Sequence, residues 1–502
     1  MRRIGRRSLL GAVSAGVLLA ACGPAAPPTA TPAPANPAEK PAAAATTAPA
    51  AATTAPAAAN SASQATAPAS QAAAATKPAG APAASSPAAA AKSGVTLRLH
   101  VRTGTEADAL AERLPIFTQQ NGADVKIESF PGGDYYAKAQ TLIAGGQLGD
   151  VLWAIVGQGW PIWGATGVLQ PLDGFVQSEK FDLSVYYKSA LDQFYYQGKL
   201  YGLPFKLQPG QIGLFYNADA VKETGVKEPS LDMTFDQLAE ISKGLTKTNG
   251  NRVERYGFTP YFSAGSDTNG GWWFTAANAR AWGAELIDET GTKSLVPDPK
   301  FKQSVTWLHD LIFKQKAAPS YKDVASNDPD TMFVSGAGAM FQSGSWTKSV
   351  QTRVKDKFTV KDTLMPKGPT GSRGGFTVSD MIAMNAKTQY QPQAWALTKF
   401  LTDKEMGVRL GGGSGGASGT CGARPDVFHD DRLMKNPLHP VWIEAAENAQ
   451  AARYAANFRT QEYNTALWQK MTALWAGDEQ PNDQFFSELN TALQQVLDMP
   501  KP

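Results

Sequence analysis

The sequence predicts an α/β fold built on a doubly wound sheet, and three stretches at the start of its folded body carry that expectation. Val95, Leu97, Leu99 and Val101 alternate with Thr96, Arg98, His100 and Arg102, the period of a half-buried strand. Ala107, Leu110, Ala111 and Leu114 follow at helical spacing. Residues 150–156 read DVLWAIV, a nearly unbroken apolar run of the kind a strand needs when helices cover both faces.

Each element has its own signal. Thr105 with Asp108 three residues on predicts a helix cap. Pro115 is expected to kink or end that helix. Val125 and Ile127 mark a second short strand, and Tyr136, Ala139, Leu142 and Ile143 a second helix stopped by Gly145-Gly146. Strand and helix thus alternate through three strands, which with right-handed crossovers makes a doubly wound sheet. Such sheets bind ligands beyond the carboxyl ends of their strands, which puts 102–106 and 155–163 on a binding edge. Further on, Thr234 and Gln237 form a capping box before the apolar face Phe235, Leu238, Ile241, Leu245. Ala394, Leu397 and Leu401 give another helical face, 411–422 is a Gly-rich loop, and 441–498 is helical in composition.

Composition bounds the function. The 502 residues suffice for two or three domains at ~150 residues each. The net charge of +3 is uneven. Residues 1–22 hold four Arg, and 23–93 hold Lys40, Lys77 and Lys92 against Glu39, which leaves 40 basic and 43 acidic residues over 94–502. A near-neutral body argues against a nucleic-acid groove. Two Cys exclude a disulfide framework or a Cys-rich metal site, and four His leave little for a multi-His site. No metal and no cofactor are expected.

The first 22 residues read as a lipoprotein signal peptide. Arg2, Arg3, Arg6 and Arg7 precede an apolar run from Leu9 to Ala21, too short to span a bilayer. Arg6-Arg7 leaves both twin-arginine and general secretory export open. Leu19-Ala-Ala-Cys22 resembles the bacterial lipobox, which makes Cys22 the lipidation site and leaves Cys421 without an intrachain disulfide partner. Residues 23–93 contain 34 Ala and 13 Pro among 71 residues, with no large apolar side chain, so they cannot offset the entropy of ordering. They are expected to form a disordered Ala/Pro/Thr-rich tether.

No catalytic constellation emerges. The chain lacks GxxxxGK[ST], HExxH and CxxC. Gly412-Gly-Ser-Gly-Gly416 matches GxSxG by letters, yet it has no strand before it and no helix after it. The chain offers instead aromatics beside glycines in loop-like, exposed-looking settings: Trp153, Trp160 and Trp163, then Trp272 and Trp273, then Trp346. Any one of these is more often a core residue, and it is the set beside glycines that points to a binding surface. Aromatic rings stack on the C–H faces of sugars, and polar neighbours bond the hydroxyls.

An ordered run of residues then resembles the bacterial extracellular solute-binding proteins of family 1, the maltose-binding-protein-like receptors of ABC importers. It includes Gly198-Lys-Leu-Tyr-Gly-Leu-Pro204, Phe215-Tyr-Asn217, Thr234-Phe-Asp-Gln-Leu238, Gly344-Ser-Trp346, Gly374-Gly375, 394–401 and Arg424-Pro-Asp-Val427, and it spans about 95–500. The chain departs from the family at His100, Met233 and Phe235, where Trp, Pro and Trp are usual, and 411–422 is longer than usual.

The resemblance implies two doubly wound α/β lobes joined by a hinge, the periplasmic-binding-protein-like type II fold. Lobe one would comprise about 94–205 plus 359–412, and lobe two about 206–358 plus 413–502. The chain would pass between lobes near 204–210, 358–366 and 412–425. It implies a non-enzymatic, monomeric substrate-binding protein, lipid-anchored outside the cytoplasm, that delivers a sugar or oligosaccharide to an ABC permease. Trp153, Trp346 and Trp468 are carried over as sugar-stacking residues. Trp272 and Trp273 have no firm family counterpart and join the candidate ligand contacts on the aromatic argument. Arg102 and Glu106 join them as residues just beyond the first strand, and Lys206, Gln208 and Gln211 as polar residues at the first crossover, with Gln158 and Gly375. A surface-tethered carbohydrate enzyme remains open, as does the same fold binding a polyol, a phosphorylated polyol or a peptide.

Overall fold

The computed structural model describes residues 94–132, 134–155, 159–262, 268–324, 328–412, 420–448 and 450–501. The signal peptide with Cys22, the 23–93 tether, Gln158 and residues 413–419 of the Gly-rich loop lie outside the described residues.

In chain order the strands are β1 (Thr96–Arg102), β2 (Asp124–Phe130), β3 (Val151–Ile155), β4 (Tyr195–Tyr196), β5 (Lys199–Leu200), β6 (Leu203–Gly210), β7 (Gly213–Asn217), β8 (Lys247–Asn249), β9 (Arg252–Thr259), β10 (Gly338–Ser343), β11 (Val360–Leu364) and β12 (Phe376–Met384). β4 and β5 form a small hairpin, and the rest form two sheets of five: β2-β1-β3-β12-β6 and β11-β7-β10-β9-β8. β1 pairs in parallel with β2 and β3. β12 returns from the second sheet and inserts antiparallel between β3 and β6, so the first sheet is mixed rather than wholly parallel.

The first helix, Thr105–Asn121, continues past Pro115, so the proline does not end it. Its buried Leu110, Leu114 and Phe117 lock it onto the first sheet's core, which outweighs the one helical bond that proline cannot donate. Nor is Thr105 its cap: Gly104, at φ 113, holds that place with no side-chain cap, and Glu106 and Asp108 favour the first turn through the helix dipole. The helix Phe235–Leu245 carries the full capping box. Thr234 Oγ1 accepts from the Gln237 N–H at 3.2 Å, and Gln237 Oε1 accepts from the Thr234 N–H at 2.9 Å. Among the described residues of 441–498, three helices form: Pro440–Asn448, Thr460–Ala476 and Asp483–Leu497.

The sheet pairings place the passages between the sheets. All of β6 belongs to the first sheet and all of β11 to the second, so the chain crosses at 211–212 and returns over 365–375. Both points lie later than expected, because ladder pairing runs to Gly210 on one side and to Leu364 on the other. The two passages touch. The Met365 N–H donates to the Ile212 carbonyl at 2.7 Å, and a Cβ on Gly375 would lie 2.8 Å from Ile212 Cβ. Cys421 is buried, and its backbone bridges Leu207 of β6.

Candidate functional site

Strand alternation puts Lys206, Gln208 and Gly210 of β6 on one face, opposite Asp380, Val378 and Phe376 of β12. At one end of this ribbon is a charged group, and at the other an aromatic one.

The charged end joins residues that stand far apart in the chain. Lys206, only 1 % exposed, sends its ammonium to Glu106 and to Asp380 Oδ2, the latter at 2.9 Å. Arg102, at the end of β1, forks onto both Glu106 oxygens at 3.0 Å and reaches Asp380 Oδ2 at 3.6 Å. Its guanidinium lies 4.0 Å over the Trp153 ring. Trp153 Nε1 donates to Asp380 Oδ2 at 2.8 Å, and Gln208 Nε2 donates to Asp380 Oδ1 at 2.8 Å. Fully buried charge is costly unless opposed, and here two cations face two carboxylates. Burial raises the Glu106 carboxyl, but the Lys206 and Arg102 charges outweigh that and hold it down at about 2. Burial lowers the Arg102 guanidinium, and Glu106 and Asp380 more than reverse it. Arg102 Nε has no partner among the described residues, so the wall keeps a spare donor.

At the aromatic end, Trp346 follows Gly344, where a Cβ would lie 2.2 Å from its ring. A Cβ at Gly210 would lie 3.4 Å from the same ring. These two glycines let the indole sit flat against backbone. Trp273 lies 6.3 Å from Trp346 and 5.9 Å from Phe376, and Trp272 packs on Phe376 and Tyr454 at 5.9 and 5.3 Å. Trp273 and Trp346 are partly exposed, so they offer ring surface.

The expected residues therefore sort as follows. Arg102, Glu106, Trp153, Lys206 and Gln208 converge on one network. Trp272, Trp273, Trp346 and Gly375 gather around the passages between the sheets, with Gln211 beside them. Trp468 lies elsewhere, buried in the second sheet's core, edge-on to Tyr321 and hard against Gly271. The exposed, loop-like reading of the aromatics needs correction. Trp153, Trp160, Trp163 and Trp272 are buried, and Trp272 and Trp273 sit on the helix Thr268–Ala281 rather than in a loop. His100 is also buried. Its Nδ1 accepts from the Gly149 N–H at 3.3 Å while Nε2 faces Glu128 at 2.9 Å, and burial pushes the ring's pKa down.

Asp380, Phe376 and Tyr454 were missed. The signal for Asp380 was available, since a lone carboxylate in the otherwise uncharged run FTVSDMIAM must find a partner when the strand is buried. Among the described residues, no group of three or more His, Cys, Asp or Glu is placed to hold a metal, and no helix is long and apolar enough to cross a membrane.

Two α/β sheets joined by crossing segments, with a charged group at one end of the β6–β12 ribbon and an aromatic group at the other, make a two-lobed α/β architecture. Residues 100–408 match the bacterial extracellular solute-binding protein family, and the chain belongs to it. This is a family of non-enzymatic receptors. The chain is 24% identical over 293 residues to a binding protein of Brucella abortus (strain 2308), covering 58% of this chain and 67% of that one. It is 24% identical over 223 residues to the lactose-binding protein of Rhizobium radiobacter, covering 44% and 48%. In fold it is similar to the sugar-binding protein MalE of Xanthomonas citri, at TM-score 0.68 and 18% identity over 80% of this chain and 97% of that one. An ABC transporter solute-binding protein of Agrobacterium vitis S4, solved with bound D-mannitol, gives TM-score 0.62 at 22% identity over 80% and 98%.

Proposed function

We propose that the chain is the substrate-binding protein of an ABC importer and takes an uncharged sugar, oligosaccharide or polyol between its two lobes. The observation that carries this reading is the β6–β12 ribbon, with its charge-balanced polar end and its aromatic end. Asp380 and Phe376 stand four residues apart on β12, so the two ends lie ~14 Å apart at ~3.4 Å per residue. That span suits a ligand with hydroxyls at one end and a C–H face at the other. The polar end holds as many positive as negative charges, which favours neutral hydroxyls over a phosphorylated ligand. The relatives named for lactose and solved with mannitol support the same class.

In this reading Trp273 and Trp346 stack on the ligand, while Arg102, Glu106, Lys206, Gln208 and Asp380 face its hydroxyls. Lobe one is the β2-β1-β3-β12-β6 side and lobe two the β11-β7-β10-β9-β8 side. The closed form is what the permease recognises. Thermal-shift screening against neutral sugars and polyols, followed by Trp346→Ala on any hit, tests this. Truncating an aromatic anchor in a desolvated pocket costs ~2–4 kcal/mol, roughly 30-fold to 1,000-fold in affinity. The variant should melt near the wild type without ligand and lose most of the ligand-induced shift. A large fall in its unliganded melting temperature would instead assign Trp346 to the core.

The lipobox-like Leu19-Ala-Ala-Cys22 supports anchoring to the cell membrane outside the cytoplasm, at the cell surface or in the periplasm, through lipid on Cys22, with 23–93 as a spacer. On fractionation, Cys22→Ala should leave the membrane for the supernatant. Undiminished membrane retention would count against the anchor.

A further inference from the structure

Gln211 is one of the two residues linking β6 to β7, and it holds the left-handed conformation at φ 56. Its side chain is buried at 1 % exposure, yet neither Nε2 nor Oε1 has a partner among the described residues. Gln342 of β10, equally buried, donates its Nε2 to the Gln211 carbonyl at 2.8 Å and leaves its own Oε1 unpartnered. Ser345 is buried with its hydroxyl unpartnered as well. The deficit is selective, because two residues away Ser343 and Thr347 satisfy each other at 2.6 Å. Buried hydrogen-bonding groups are almost always paired, and each exception costs stability. A non-glycine residue at positive φ adds to that cost. Gln342 is tied to Gln211 by that bond, Ser345 precedes Trp346 in the chain, and Gln211 follows Gly210, where a Cβ would lie 3.4 Å from the Trp346 ring.

Resting on the receptor reading above, we propose that Gln211, Gln342 and Ser345 form an amide-lined pocket at the root of the cleft that reads an uncharged hydroxyl of the ligand. Gln211 offers two N–H donors and an acceptor, Gln342 an acceptor, and Ser345 both functions. A hydroxyl, which donates and accepts, matches that set. A carboxylate or phosphate, which only accepts, would meet two amide oxygens. The three side chains are buried in this structure, so a ligand reaches them only if the 211–212 passage, of which Gln211 is half, moves. Filling the pocket would satisfy atoms that the protein otherwise leaves unpaired, so ligand binding and movement of that passage become coupled.

Gln211→Met tests this, because it keeps the side chain's length and removes two unpaired polar atoms. Melting without ligand is measured beside calorimetric titration with lactose, maltose and D-mannitol. The expected result is an unliganded melting temperature equal to or above that of the wild type, with affinity for whichever probe the wild type binds reduced ~10- to 100-fold. Ser345→Ala should move affinity in the same direction by less. Wild-type affinity in Gln211→Met overturns the proposal, as does a fall of several degrees in its unliganded melting, which would assign the amide to packing. A wild type blind to all three probes defeats the receptor reading and this inference with it, whereas binding by the wild type with an indifferent variant defeats the inference alone.

Discussion

Asp380 shows how one side chain organises a site. It accepts from Trp153, Gln208 and Lys206 and lies 3.6 Å from Arg102, so it ties β1, β3 and β6 to β12. Glu106 is its counterpart on the first turn of the first helix, and its depressed pKa makes a prediction about acid. An unfolded Glu titrates at ~4.3, while the folded carboxyl is held at about 2. The folded state therefore binds fewer protons, and the stabilisation is complete above that unfolded value and fades as pH falls toward the folded one. Glu106→Gln should be less stable than the wild type at neutral pH, and the gap should close as the medium is acidified through this window. A gap that stays constant down to the lowest pH measured would show that Glu106 contributes shape rather than charge.

At the scale of elements, the local signals in the sequence were read well and the distant ones poorly. The Thr234–Gln237 capping box and the alternation of β1 lie within a few residues, and both the box and the strand formed, though His100 on the strand's polar side is buried. Arg102, Lys206 and Gln208 could be placed near a strand end, but not with one another. Their shared partner lies 172 residues from Gln208 and 227 from Trp153, and no local period reports such a pairing. The aromatics misled for the same reason: a Trp beside glycines looks alike whether the glycine frees a loop or admits the ring against backbone, as Gly344 does for Trp346. Gly375 was readable in kind, since a passage between sheets needs backbone that few residues supply. At φ +73, with Ile212 2.8 Å from any Cβ, it pins the return passage against the outgoing one. Gly375→Ala should cost ~1–3 kcal/mol of stability, seen in denaturant unfolding, and should weaken ligand binding with it. Unchanged stability would mean that the passages do not depend on this contact.

At the scale of the molecule, the passages at 211–212 and 365–375 join the two sheets, with the polar wall on one and much of the aromatic wall on the other. Trp346 follows β10 of the second sheet, and Asp380 belongs to β12 of the first. A ligand touching both would draw them together, and its differential affinity for the closed form would set the extent of closure. Small-angle scattering on a chain beginning at Gly94, with and without a ligand that raises its melting temperature, tests this most directly. The account predicts a smaller radius of gyration in the liganded sample, and loss of that compaction in Trp346→Ala at the same ligand concentration. An identical radius with ligand fully bound would contradict binding between the lobes.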